Sequence, residues 1–148
     1  MLHFRKGTLI YKKVVDWSLF VDGFALPIDV QAFFDQQEQY NIQPGESLPI
    51  TLYIQDVPCT AMFYNMKINR NKFPNHSPIK QIRYHKNDAA PLIFKQIFAD
   101  TYQDMMFEKE NSETKKRIIA HEDTYIKMYS TNQPKVFLIE CHSNSSHC

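Results

Sequence analysis

Glycine is scarce in this 148-residue chain, with three in total: Gly7, Gly23 and Gly45. They stand too far apart to build a glycine-rich phosphate loop, which excludes the common nucleotide-binding signatures. Cysteine is equally sparse, with Cys59, Cys141 and Cys148. An odd, scattered set makes no disulfide framework and fits a reducing cytoplasm. No run of about 18 apolar residues exists, so no membrane-spanning helix and no membrane partner are expected. The first 17 residues have no uninterrupted apolar stretch before a small-residue cleavage site, so they do not read as a secretory signal. Neither an internal repeat nor a linker is visible.

What is present is globular. The hydrophobic fraction is 43% and the charged fraction 22%, ordinary values for a folded domain with a real core. The length suits one domain. We expect that domain to span 1–141, with 142–148 as a flexible tail.

The formal net charge of +1 conceals blocks of opposite sign. Residues 1–15 carry +4 through Arg5, Lys6, Lys12 and Lys13, without an acid. Residues 16–56 carry −7, without a base. Residues 57–87 carry +6, without an acid, and residues 88–148 carry −2. Charge asymmetry of this kind points to a polyanionic partner.

Pattern and turn residues predict the elements. Residues 7–15 read as a strand, and 16–27 as a loop or short strand turning at Asp22-Gly23. A helix is expected over 28–40, where Val30, Phe33, Phe34 and Gln37 share a face and Asp29 suits the first turn. Strands at 47–54 and 59–66 form a hairpin, followed by a polar loop over 67–78 and a strand over 79–85. A second helix, capped by Asn87-Asp88 with Pro91 in its first turn, runs to about Met106. Residues 107–118 read as a charged excursion. Two strands, 123–130 and 134–142, finish the core. The class is therefore α+β, mainly β, with two helices.

Catalytic and metal chemistry finds little support. Cys141-His142 and His147-Cys148 supply zinc-type ligands, but their spacing does not match a knuckle. Glu113-Thr114-Lys115 with Asp104 upstream has the order of a metal-dependent nuclease triplet, yet lies in a charged stretch with no strand-like alternation. His85 and Asp88 are further candidates for a hydrolase. Cys59 has no histidine near it in sequence and reads as a buried structural thiol. No catalytic residue, metal ligand or cofactor is assigned.

The constellation that remains is the basic block. Lys/Arg contacts to phosphates give affinity, and side chains with paired donors and acceptors read base edges. Lys67, Asn69, Arg70, Asn71, Lys72, Asn75 and His76 put both kinds on one loop, and the following strand and turn add Lys80, Arg83, His85 and Lys86. Phe73 and Tyr84 are available for stacking.

The stretch KKVVDWSLFVDGFALPIDVQAFF resembles the opening of B-three-type DNA-binding pseudobarrels, found in plant transcription factors and in the recognition domains of bacterial restriction endonucleases. The resemblance runs over roughly residues 7–140 in element order. It implies a seven-or-so-stranded open pseudobarrel flanked by two helices, and two arms that clasp the major groove of duplex DNA. The first arm would fall on Asp16, Trp17 and Ser18 through Asp22, flanked by Lys12 and Lys13. The second would fall on loop 67–78. The first arm departs from the family pattern in being acidic. The resemblance thus implies sequence-specific DNA binding in a bacterial restriction or related defence system, with a nuclease or ATPase domain or subunit as a further partner. A small metal-dependent nuclease or hydrolase, or a protein-interaction domain, is the alternative.

Overall fold

The computed structural model describes residues 5–76, 79–110 and 123–143. Seven strands form one sheet: β1 (Lys6–Val14), β2 (Gly23–Leu26), β3 (Ser47–Ile54), β4 (Val57–Asn65), β5 (Lys80–Arg83), β6 (Tyr125–Thr131) and β7 (Val136–His142). The spatial order is β1-β6-β7-β3-β4-β5-β2. Every neighbouring pair is antiparallel except β3 and β7, which run parallel. The sheet curls strongly into a half-barrel. Its two edge strands meet through side chains: the rings of Tyr11 on β1 and Phe24 on β2 lie 6.1 Å apart.

Alternation along the strands decides which face is the core. Ile50, Leu52 and Ile54 of β3, Cys59, Ala61 and Phe63 of β4, Ile82 of β5, Ile126 and Met128 of β6, and Phe137 and Ile139 of β7 are all buried. These positions fill the concave side, and the period of two sends the intervening residues outward. Ile82 resolves the ambiguous strand at 79–85, because it is buried while Arg83 is exposed.

Among the described residues there are four helices where the sequence pattern predicts two: α1 (Trp17–Val21), α2 (Ile28–Asp35), α3 (Ala90–Ile97) and α4 (Ala99–Glu110). α2 places Phe34 among Phe63, Phe137 and Tyr40. It ends earlier than its apolar pattern suggests, and a 3-10 turn over Glu38–Tyr40 follows. The second predicted helix breaks at Phe98, which leaves helical geometry (φ −107°, ψ 44°) while its amide still donates to the Phe94 carbonyl at 2.9 Å. The break lets Phe94, Phe98 and Met105 all reach the core. No glycine or proline marks it. Asp88 does not cap α3: its carboxylate accepts from the His85 amide, and Ala89 occupies the N-cap. Residues 107–110 belong to α4 and not to a charged excursion.

Candidate nucleic-acid interface

The segment 16–22 is a helix and not an extended arm. Asp16 is the N-cap of α1, its side chain accepting from the Leu19 amide at 3.3 Å, the Ser18 hydroxyl at 2.7 Å and the Lys13 ammonium at 2.8 Å. Leu19 and Phe20 are fully buried, and that burial holds so short a helix in place. Tyr84 stitches it to the end of β5, its amide donating to the Asp22 carbonyl and its hydroxyl to the Leu19 carbonyl. Burial pushes the Tyr84 hydroxyl far above the ordinary phenol range. Trp17 stacks on Tyr102 of α4 at 5.9 Å, with the Lys109 ammonium 4.5 Å from its ring centroid.

Partial burial pushes the Asp16 carboxyl up, but the hydrogen bonds from Lys13, Ser18 and the Leu19 amide and the Lys13 charge outweigh it, leaving it below the usual carboxylate range. A lowered folded value means that the cap stabilises above the unfolded pKa, near 4, and weakens as pH falls through the folded value. Asp16→Asn is therefore expected to cost more stability at pH 7 than at pH 3. Urea melts of both proteins at the two pH values check this, and an equal difference at both would show that ionisation of the cap contributes nothing.

Two open grooves flank α1 and share Ser18. One, of about 700 Å³, is lined by Lys12, Lys13, Asp16, Trp17, Ser18 and Met105 among others. The other, of about 530 Å³, contains Ser18, Asp22, Tyr64, Lys67 and Arg83. Residues far apart in sequence are thus brought together, with Arg83 5.0 Å from the Tyr64 ring centroid. Gly23 forms part of the second groove's floor.

Loop 67–76 leaves this second groove and is exposed from Asn69 onward. It is built by its own polar groups. The Asn69 side-chain carbonyl accepts from the amides of Asn71 and Lys72, and its backbone carbonyl from Lys72 and Phe73. The Arg70 guanidinium donates to the His76 carbonyl. Asn69 and Arg70 therefore shape the loop. Asn71, Lys72, Phe73 and Asn75 project from it, the Lys72 ammonium 5.5 Å from the Phe73 ring centroid.

The cations divide into two groups. Lys13 pairs with Asp16, and Lys80 with Asp35 of α2. Lys80 sits at the end of β5 remote from Arg83, against Asn65 and Leu26. Among the described residues, no carboxylate pairs with Lys67, Arg70, Lys72, Arg83 or Lys86.

Among the described residues, no three His, Cys, Asp or Glu side chains group to hold a metal. Glu113-Thr114-Lys115 and His147-Cys148 lie outside the described residues, as does most of the tail expected over 142–148. Burial pushes the Cys141 thiol up to about 12 and raises that of Cys59, so neither is a poised thiolate.

These features define a class by architecture: an α+β, mainly β domain built on one curled, open seven-stranded sheet. Comparison of the chain with known protein families, curated proteins and solved structures finds no match. No described helix is long and apolar enough to cross a membrane.

Proposed function

We propose that the domain binds duplex DNA sequence-specifically, with α1 and loop 67–76 meeting the groove edges. One observation carries the reading. Lys67 and Arg83, cations without a carboxylate partner among the described residues, share an open groove with Ser18 and Asp22 at the root of an exposed loop rich in Asn and Lys. Lys67, Lys72 and Lys86 supply phosphate contacts. Asn71, Asn75 and Arg83 offer the donors and acceptors that distinguish bases, and Asp22 can accept from a cytosine amine. Lys12 flanks the other side of α1. Lys13 and Lys80, already neutralised, contribute less.

On the sequence resemblance to B-three-type pseudobarrels, we read such a domain as the target-recognition part of a bacterial restriction or related defence system, cytoplasmic and working beside a nuclease or ATPase partner. The half-barrel is compatible with that architecture.

Selection from a random duplex library tests the reading. Enrichment of a short motif is expected. Lys67→Ala should weaken all sequences alike and reduce the salt slope by about one unit. Arg83→Ala should cost about 1–3 kcal/mol and relax preference at one base pair. A flat selection, or equal losses for Arg83→Ala on selected and random duplexes, sinks the base-reading assignment.

A further inference from the structure

The convex face of β1, β6, β7 and β3 carries side chains in ordered rows. The helices contribute Leu19, Phe20, Phe34, Phe94, Phe98 and Met105 to the opposite, concave core, while the outward residues of β6 and β7 remain only half-buried. Strand register aligns them. Leu9, Tyr129, Leu138 and Tyr53 form one row across four strands. Lys12, Lys127 and Glu140 form the next, and Val14, Tyr125 and His142 a third. Aromatic rows thus alternate with a charged one, and Tyr125 and Tyr129 stand about 13 Å apart along β6.

A purely solvated face does not need this composition. Lys12 and Lys127 sit directly opposite each other, a like-charge pairing that destabilises a sheet. Both fold over the Tyr125 ring, at 4.3 and 6.0 Å from its centroid. Glu140, opposite Lys127 in register, instead accepts from Lys6 at 2.6 Å and contacts His142 at 2.7 Å. Lys6 in turn lies 4.0 Å from the Tyr129 ring centroid. Between Tyr129 and Tyr53 an open groove of about 300 Å³ runs over Leu138, with Lys6 and Glu140 at its margin.

We propose that this convex face is a second nucleic-acid site, one for single strands. Unstacked bases present flat faces that tyrosine rings accept without regard to sequence, while their phosphates need cations at regular spacing. Tyr53, Tyr125 and Tyr129 supply the rings, and Lys6, Lys12 and Lys127 the cations, against the carboxylates of Glu140, which pairs with Lys6, and Asp56, which lines the same groove. On binding, the lysine ammoniums leave the rings for phosphate oxygens. That movement frees the ring surface that the lysines cover, while His142 remains stacked on Tyr125 at 4.7 Å, and relieves the Lys12–Lys127 repulsion. The site lies apart from the groove of Lys67 and Arg83, shares Lys12 with the flank of α1, and does not depend on the duplex reading.

Fluorescence anisotropy of the whole chain with labelled twelve-nucleotide dT and U oligomers tests it, in separate arms for DNA and RNA. Salt-sensitive binding to at least one oligomer is expected. Tyr129→Ala should weaken it about tenfold, the loss of one stacked base, while Tyr129→Phe keeps the affinity because stacking needs the ring and not the hydroxyl. Lys127→Glu, which leaves every ring in place, should weaken it and flatten the salt slope, and serves if Tyr129→Ala does not fold. Lys67→Ala should leave it unchanged. Absence of binding to both oligomers, equal affinity for Lys127→Glu and the parent, or loss on Lys67→Ala would overturn the proposal. So would sedimentation showing a homodimer that Lys127→Glu dissociates, because a second copy would then occupy the face.

Discussion

Gly23→Ala is expected to destabilise the domain by more than about 4 kcal/mol, well beyond the usual range for one methyl group. Gly23 opens β2 with φ +121°, a conformation that side chains rarely adopt. A Cβ there would stand 1.9 Å from the Ile82 carbonyl oxygen and 2.9 Å from the Arg83 Cα, both backbone atoms of the paired strand. Neither can yield without breaking the β2–β5 ladder. That ladder also positions Arg83 and ties α1 to β5 through Tyr84, so loss of the groove should accompany loss of stability. Denaturant melts check the first part and amide protection of Phe24 and Ile82 the second. An alanine variant within about 1 kcal/mol of the parent would show that the β2 backbone does not require glycine.

Phe34→Ala should cost about 3–5 kcal/mol. Its ring is wholly buried at the centre of an aromatic cluster, with ring centroids of Phe63 at 4.8 Å, Tyr40 at 4.9 Å, Phe33 at 5.3 Å and Phe137 at 5.7 Å. Removing it opens a cavity between α2, the 3-10 turn and two strands, β4 and β7, that rigid neighbours cannot refill. Against a total of about 5–15 kcal/mol for a domain, the loss is a large share. Thermal and urea unfolding measure it. Phe34→Leu, which keeps much of the volume, should cost markedly less, and equal losses for the two would show that cavity volume is not the cause.

The strands were legible in the sequence because period-two alternation and turn residues report directly on a sheet with one buried face. β3 and β4 match the hairpin expected from SLPITLYI and CTAMFYNM, and β6 and β7 the final pair. Helices were harder. α1 has five residues, too few for a 3.6 period to show, and its one local signal is Asp16 followed by Trp17, Ser18 and two apolar residues. The break at Phe98 is forced by three buried side chains competing for the core, a tertiary demand with no glycine or proline to announce it.

The candidate site was legible only as a list of residues. The acid-free run correctly marks the exposed loop, but it could not show that Asp35 of α2 reaches Lys80. Nor could it show that Asn69 and Arg70 spend their polar groups inside the loop. The convex rows are invisible in the sequence, because Lys12, Lys127 and Glu140 become neighbours only through strand register.

The sheet order has a consequence for how the chain acquires its shape. Among the described residues, β1 pairs with β6 alone, and β3 meets β7 across the parallel seam. β1 must therefore wait until β6 has been synthesised before its backbone hydrogen bonds can close. The β3–β4 hairpin can form early from local contacts, but the half-barrel is completed only when the β6–β7 hairpin inserts between β1 and β3. Folding should be slow for the domain's size, and a ribosome-bound chain that stops short of Tyr125 would leave two strand edges open to other chains.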